Sequence, residues 1–233
     1  MTFPTSADIR ARASQYSNVS NAADGCPVEV RAMRDGTISV ADWLNLKNME
    51  GRVFKIDIGA FSTPIAGDGT AIDLDRPVGL VSVPSGTTAI VIRASAQCQT
   101  PLIAADANES EILFGVDRTQ AWDGAGACTA ETALAFRTDN KRTSGCTCKS
   151  AFTGNITTAP VLGIELARSV ITADVNGAAA NALWGELRLD YDPEVKPIVV
   201  GPAMILLYWG GTVATSGFGQ IEWAEVPSTD ITG

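Results

Sequence analysis

The sequence predicts an all-β fold, a β-sandwich of about eight strands with Greek-key or jelly-roll connections. Apolar and polar residues alternate in several short runs, and turns that contain Gly or Pro separate these runs. Little of the chain has a helical period, and no internal repeat at a fixed spacing points to a propeller or a solenoid. With 233 residues, of which 45% are hydrophobic, the chain is long enough to bury a substantial core.

The composition divides the chain into three parts. Residues 1–35 are polar, rich in Ser, Ala and Asn, and without clear periodicity, so we expect an extended N-terminal arm that neighbouring subunits hold in place. Residues 36–227 contain the predicted strands and form a single β-sandwich domain with a long loop excursion at about 119–160. Residues 228–233 form a short C-terminal tail.

One short helix is predicted at about 40–48, where the domain begins. A sequence similar to a capping box opens it, and Val40, Trp43 and Leu44 follow the i, i+3, i+4 spacing of a helix. We expect Trp43 to pin this helix against the sheet. The segment 130–136 is a candidate for a second short helix.

The first predicted strand lies in the run 52–59, where strict alternation separates an apolar face from a polar one. The other predicted strands are 78–83, 87–94, 111–116, 161–171, 183–191, 198–209 and 219–226. Glycine-containing turns are predicted at 66–70 and 84–86, and Gly210 and Gly211 mark a turn between the last two strands.

The chain contains no histidine, and this absence closes several routes to catalysis. Ser-His-Asp and Cys-His nucleophiles need an imidazole, and so do many metal sites and general bases. No phosphate-binding loop of the Walker form is present, and Gly67-Asp68-Gly69 has the character of a simple turn. We therefore expect a protein that is not an enzyme, with no catalytic residues and no cofactor.

Carboxylate chemistry stays open at two pairs of acids. Asp73 and Asp75 are two residues apart, as are Asp190 and Asp192, so each pair would share one face of a strand. Such pairs could bind Ca²⁺ or serve a glycosidase, whose two acids flank a cleft. Because each pair falls at a predicted strand end, solvated acidic loops are the favoured interpretation, and no metal site is expected.

Three cysteines in the excursion raise the question of a zinc site. Cys146 and Cys148 have C-x-C spacing, Cys128 lies upstream, and a fourth ligand is missing nearby. Free thiols are favoured, with one disulfide between Cys128 and either partner as the alternative. The five cysteines are Cys26, Cys98, Cys128, Cys146 and Cys148. An odd number and the lack of a secretory signal indicate a chain that folds in the cytoplasm.

Aromatic residues offer a possible binding patch for a sugar or a partner protein. The candidates are Trp122, Trp184, Trp209, Trp223 and Tyr208. Core packing is expected for Trp184, Trp209 and Trp223, because they fall within predicted strands. Trp122 lies between Gln120 and Gly124 in the excursion, so we expect it to be the most exposed.

Charge argues against direct contact with nucleic acid. The chain has 17 basic and 26 acidic residues, for a net charge of −9. Nucleic-acid binding needs clustered Lys and Arg. The densest basic run is Arg137, Lys141, Arg142 and Lys149, which we interpret as a solvated loop.

A membrane-spanning segment is not expected either. The most apolar stretch, 198–211, is shorter than the roughly 20 residues that a spanning helix needs. Pro202 interrupts this stretch, and a buried strand explains it better.

Three segments of the chain resemble viral jelly-roll proteins. Residues 201–211 with 217–223 are similar to the last strand pair of such domains, and 83–92 is similar to an inner strand. The resemblance covers about residues 50–227 and selects a single jelly roll. It implies a capsid or other virion protein of a non-enveloped virus or phage, located in the virion.

The arm departs from that pattern because its basic and acidic residues balance. If the protein forms a shell, its partners are copies of itself and other virion proteins. Another chain or an internal membrane would then face the genome. A carbohydrate- or receptor-binding module is the alternative, with Trp122 as the first candidate, and a carboxylate-based hydrolase comes third.

Overall fold

A computed structural model describes residues 43–69, 71–102, 108–139, 142–173, 183–211 and 215–230. These residues contain one α-helix, α1 (Trp43–Met49), thirteen β-strands and a closing 3-10 turn at Ser228–Asp230. The predicted N-terminal arm lies outside the described residues, so its expected extended form stays a prediction.

The strands form two antiparallel sheets that pack face to face. The main path of sheet one is β10 (Leu183–Tyr191), β4 (Thr87–Leu102), β13 (Ser216–Pro227), β1 (Val53–Ile58) and β7 (Leu134–Ala135). Two short strands extend it: β11 (Ile198–Val200) pairs with β4, and β2 (Ile65–Ala66) pairs with β13. Sheet two has the order β6 (Thr129–Glu131), β8 (Thr147–Ser150), β3 (Gly79–Val83), β12 (Ala203–Gly211), β5 (Asn108–Asp117) and β9 (Ile164–Ala173). The predicted all-β sandwich is confirmed.

The eight longest described strands are paired like one long hairpin folded over itself. In chain order they are β1, β3, β4, β5, β9, β10, β12 and β13. The first pairs with the eighth, the second with the seventh, the third with the sixth and the fourth with the fifth. The pairs alternate between the two sheets, and β13 with β4 and β12 with β5 complete each sheet.

In β1 the predicted apolar face is the one that is buried in the sandwich. Phe54, Ile56 and Ile58 point into the sandwich and are buried, whereas Asp57 on the other face is exposed. The strands β3 and β12 do not alternate, because every residue in them is buried. Continuous apolar strands of this kind are covered on both faces.

The two sheets share one inner core, in which Trp209 and Trp223 are almost completely buried. The indole Nε1 of Trp209 donates to the carbonyl of Ile65 at 3.0 Å. The indole Nε1 of Trp223 donates to the carboxylate of Glu225 at 2.8 Å. The predicted core positions of both tryptophans are confirmed, and each buried N–H has a partner, as buried indoles require.

The helix α1 is present, but Trp43 does not pin it to the sheet. The side chain that packs against the sheet is Leu44, and Trp43 remains 42% exposed. The helix ends in a Schellman arrangement: the amide of Arg52 donates to Lys47 O and the amide of Gly51 to Asn48 O, both at 2.9 Å. Gly51 has φ 69°, the left-handed conformation that this ending requires.

Two further predictions from local pattern are wrong. The segment 130–136 is not a helix, because β6 joins the edge of sheet two and β7 joins the edge of sheet one. Gly210 and Gly211 lie inside β12 rather than in a turn, where they pair with β5. Gly210 also meets Asp68 across an isolated bridge, and an added Cβ would come within 3.0 Å of the Asp68 carbonyl.

The apolar run 198–209 is not one strand, as the sequence predicted, but two. Residues 198–200 form β11 in sheet one, and residues 203–211 form β12 in sheet two. The chain thus crosses between the sheets at Gly201 and Pro202. Hydrophobicity alone could not show this crossing, because both halves are equally apolar.

Candidate interaction surface

Each sheet carries a second apolar cluster on its outer face, away from the shared core. On sheet two this cluster contains Leu80, Leu113, Met204, Leu206 and Tyr208. It is packed under three segments, 71–76, 117–128 and 152–162, which we call the cover. Their contacting residues are Ile72, Leu74, Trp122, Cys128, Phe152, Ile156 and Leu162. The long excursion therefore encloses one face of the protein.

Trp122 is part of this cover and is not an open platform for a ligand. Its indole Nε1 donates to Ala125 O at 2.8 Å, and its ring meets Phe152 edge to face at 6.4 Å. The ammonium of Lys149 lies 4.9 Å from the ring centroid. Trp122 is half-buried, whereas Trp209, Trp223 and Tyr208 are buried, so among the described candidate aromatics Trp122 is the most exposed, as predicted. The side chain of Trp184 lies outside the described residues.

A buried carboxylate holds the two ends of the excursion together. Asp117 is fully buried, and its Oδ1 accepts from the amide and the hydroxyl of Thr119 at 2.7 and 2.6 Å. Its Oδ2 accepts from the amide of Val161 at 2.8 Å. Residues 119 and 161 flank the predicted excursion, so one side chain closes its base.

Three of the four acids that the sequence singled out, Asp73, Asp190 and Asp192, form ion pairs at separate places, whereas Asp75 donates its backbone amide to Asp73 at 3.0 Å. Asp73 accepts from Arg76 Nε at 3.2 Å, and Asp68 accepts from Arg76 Nη2 at 2.5 Å. On sheet one, Asp190 pairs with Arg93 at 2.8 Å. These bonds engage the carboxylates locally and fix surface loops.

Asp192 continues the same arrangement next to β11. It accepts from Lys196 Nζ at 2.5 Å, and this bond lowers the pKa of Asp192 below its ordinary value. Lys196 Nζ also donates to the carbonyl of Ile92 at 3.1 Å. The loop before β11 is therefore tied to β4.

The three excursion cysteines do not converge. Cys146 and Cys148 are buried in the shared core, whereas Cys128 packs into the cover on the opposite side of sheet two. Burial raises the pKa of the Cys148 thiol to about 12, and it does the same for Cys98. All four described cysteines are free thiols, and the described residues include no group of three potential metal ligands. Cys26 lies outside the described residues.

The basic run is also dispersed. Arg137 binds Asp139 through Nε at 2.7 Å and donates from Nη1 to Met49 O at 2.5 Å. Lys149 lies over Trp122, and Lys141 is outside the described residues. The run therefore does not form a single basic patch among the described side chains.

The outer face of sheet one is divided into a polar half and an apolar half. The polar half contains Lys55, Asp57, Arg93, Gln97, Glu186, Arg188, Asp190, Gln220 and Glu222. The apolar half is a strip that crosses the strands from β7 to β11, and we call it the apolar band. Its buried centre consists of Val53, Ile90, Ile92, Ala224 and Val226, with Leu44 of α1 packed on it.

Both ends of the apolar band are exposed. At the β7 edge the exposed side chains are Trp43, Leu46, Met49, Leu134 and Phe136. At the β11 edge they are Val195, Ile198 and Val200. The register explains the common face, since Leu134 lies opposite Lys55 and Ile198 lies opposite Ile90.

A surface cavity of about 360 Å³ lies at the β7 end of the band. The described residues that line it are Asn48, Met49 and Arg137. The Oδ1 atom of Asn48 is buried and has no hydrogen-bond partner among the described residues. A buried acceptor without a partner costs free energy, so Asn48 is a locally unfavourable feature beside the cavity.

Sequence analysis assigned none of the residues at these two ends to an exposed surface. The strands β7 and β11 contain only two and three residues, which is too few for a pattern of alternating apolar and polar residues to be recognised. Only the pairing of each strand shows which of its side chains face outward. No helix within the described ranges has the length and apolar character needed to cross a membrane. The chain matches no family model, no curated protein and no solved structure.

Proposed function

We propose that the sandwich is a single jelly roll and that the protein is a structural virion protein, a capsid subunit of a non-enveloped virus or phage. The pairing of strands one with eight, two with seven, three with six and four with five supports the jelly roll. A folded hairpin of eight strands in two sheets has this order, and viral capsid domains are among the proteins that use it.

The observation that carries the proposed role is the pair of exposed ends of the apolar band. Monomeric proteins rarely leave large contiguous apolar surfaces in water, and such patches mark interaction sites. At the β7 end, five large apolar side chains are more than one-third exposed, among them Met49 at 55%. A subunit that is covered by its neighbours explains this exposure.

The partners of this subunit are copies of itself and other virion proteins. With a net charge of −9 the chain is unsuited to direct genome binding, so another chain or an internal membrane faces the nucleic acid. The role requires no catalytic residue and no cofactor. Trp122 is enclosed in the cover, so it offers no support for a sugar-binding module.

Light scattering on the purified full chain and on a chain without residues 1–35 tests this proposal. We expect a large particle from the full chain and smaller species from the truncated one, because the arm reaches neighbouring subunits. A full chain that stays monomeric at high concentration contradicts the proposed function.

A further inference from the structure

We propose that the two exposed ends of the apolar band bind each other between copies, with the loop at 192–197 of one copy seated in the cavity at the β7 end of the next. This inference rests on the proposed function, because it assumes that the chain self-associates. It adds the contact itself and its head-to-tail direction.

The two ends differ in form. One is the cavity beside α1, lined by Asn48, Met49 and Arg137. The other projects from the sheet: Val195 is 84% exposed, the highest fraction for a large apolar side chain among the described residues. Ile198 and Val200 continue the apolar surface behind it. A projecting side chain with an apolar surround fits a cavity with an apolar rim.

The polar groups at the two ends are also complementary. A guanidinium has five N–H donors, and Arg137 uses three of them on Asp139 and Met49 O. The other two N–H groups, at the rim of the cavity, have no acceptor among the described residues. Glu194, next to Val195, is exposed and takes part in none of the ion pairs among the described residues. Its carboxylate is the acceptor that these donors lack.

The two ends cannot meet within one copy. They lie at opposite edges of sheet one, four strand spacings apart, which corresponds to about 19 Å at ~4.8 Å per strand. A contact between unlike surfaces leaves one free end on each partner, so it extends into a ring or an open array. Assembly of many copies needs this property, whereas a contact between like surfaces would stop at a dimer.

Two single variants of the full chain, Val195→Asp and Met49→Asp, test the contact. Each places a carboxylate in one half of the interface, and both sites are exposed in the subunit, so folding should be kept. We expect each variant alone to need on the order of tenfold or more protein for assembly, measured by light scattering. Phe61→Asp is the matched control, because Phe61 is 83% exposed and lies on neither end.

Mixing the two variants tests the direction of the contact. Val195→Asp keeps an intact cavity and Met49→Asp keeps an intact loop, so an equimolar mixture should form dimers and stop there. A mixture that stays monomeric overturns the head-to-tail contact, and so does either variant assembling like the wild type. Circular dichroism confirms folding, and Val195→Ser with Met49→Ser replaces any variant that does not fold.

The outcomes separate this inference from the proposed function. A wild-type chain that stays monomeric contradicts both. A wild-type chain that assembles while both variants assemble equally well contradicts only the contact, and leaves the structural role in place.

Discussion

The outer faces of the two sheets differ in how much of their apolar surface the chain itself covers. On sheet two the chain covers its own apolar cluster with the excursion, and Asp117 clamps the base of that cover. On sheet one the helix α1 covers only the centre of the apolar band, and both ends remain exposed. Both outer faces carry apolar side chains that the shared core does not bury.

This difference separates stability from association. Apolar surface covered by the same chain adds to the free energy of unfolding of the subunit. Exposed apolar surface adds nothing to the free energy of unfolding of the isolated subunit. It contributes to the free energy of association when another molecule covers it. The comparison therefore predicts that substitutions on sheet two change folding, whereas substitutions at the ends of the band change assembly.

The largest expected effect is on the covered face. Leu206→Ala removes a completely buried side chain beneath the cover. We expect a loss of about 2–5 kcal/mol in the free energy of unfolding, because truncation of buried leucine leaves a cavity. Denaturant unfolding followed by tryptophan fluorescence measures it. A loss below about 1 kcal/mol would mean that the cover is loosely packed.

The next largest effect on the free energy of unfolding is expected at Asp117, which holds the base of the cover. Asp117→Ala leaves the amides of Thr119 and Val161 without their acceptor, and we expect a loss of about 1–3 kcal/mol. Asp117→Asn keeps one acceptor oxygen and should lose less. Hydrogen exchange should be faster at 119–128 and 152–161 in the alanine variant, while exchange in β1 is unchanged. Uniform acceleration in both sheets would show that the cover is not a separate unit.

Alkaline pH should weaken the core that both faces share. Burial raises the pKa of Cys98 and Cys148 from 9.0 to about 12, so above pH 9 the unfolded thiols lose protons that the folded ones keep. The contribution of these thiols to the free energy of unfolding is complete below pH 9. It falls as the pH rises toward 12, by roughly 1 kcal/mol for each thiol at pH 10.

Thermal unfolding between pH 8 and pH 10 measures this fall. Replacing Cys98 with Ala should reduce the pH dependence by about a third, because burial also raises the pKa of Cys146 and Cys148. An unchanged pH dependence in that variant would mean that other groups cause it.

The smallest effect on folding is expected at the bare end of the band. Ile198→Ala truncates a side chain that is 56% exposed, so the free energy of unfolding should change by less than about 0.5 kcal/mol. The same substitution should weaken assembly, since Ile198 lies beside the projecting loop. A variant that is destabilised like Leu206→Ala would remove the contrast between the two faces.

Sequence reasoning worked where the pattern is local. The alternation in 52–59 predicted which side chains of β1 enter the core, because neighbouring residues of a strand point to opposite faces. Trp209 and Trp223 were placed in the core because they fall within predicted strands, and the absence of histidine excluded imidazole chemistry without any structure. The all-β sandwich also followed from the runs and turns alone, although the described residues form thirteen strands, five of them short, rather than about eight.

The failures have one physical origin. Whether a side chain is covered depends on segments that are distant in the chain. Trp43 is exposed because Leu44 faces the sheet, and Trp122 is enclosed because Phe152 and Lys149 reach it across the excursion. The split of 198–209 between two sheets is equally invisible to a hydrophobicity pattern.

By itself, then, the sequence determined the class of fold, the inward faces of its regular strands and the chemistry that this chain lacks, since each depends on residue type or on near neighbours. Tertiary structure decided which apolar face the chain covers and which it leaves bare. Register and long-range packing set that outcome, and they bring Leu134 and Ile198 to opposite ends of one band although 64 positions separate them in the chain.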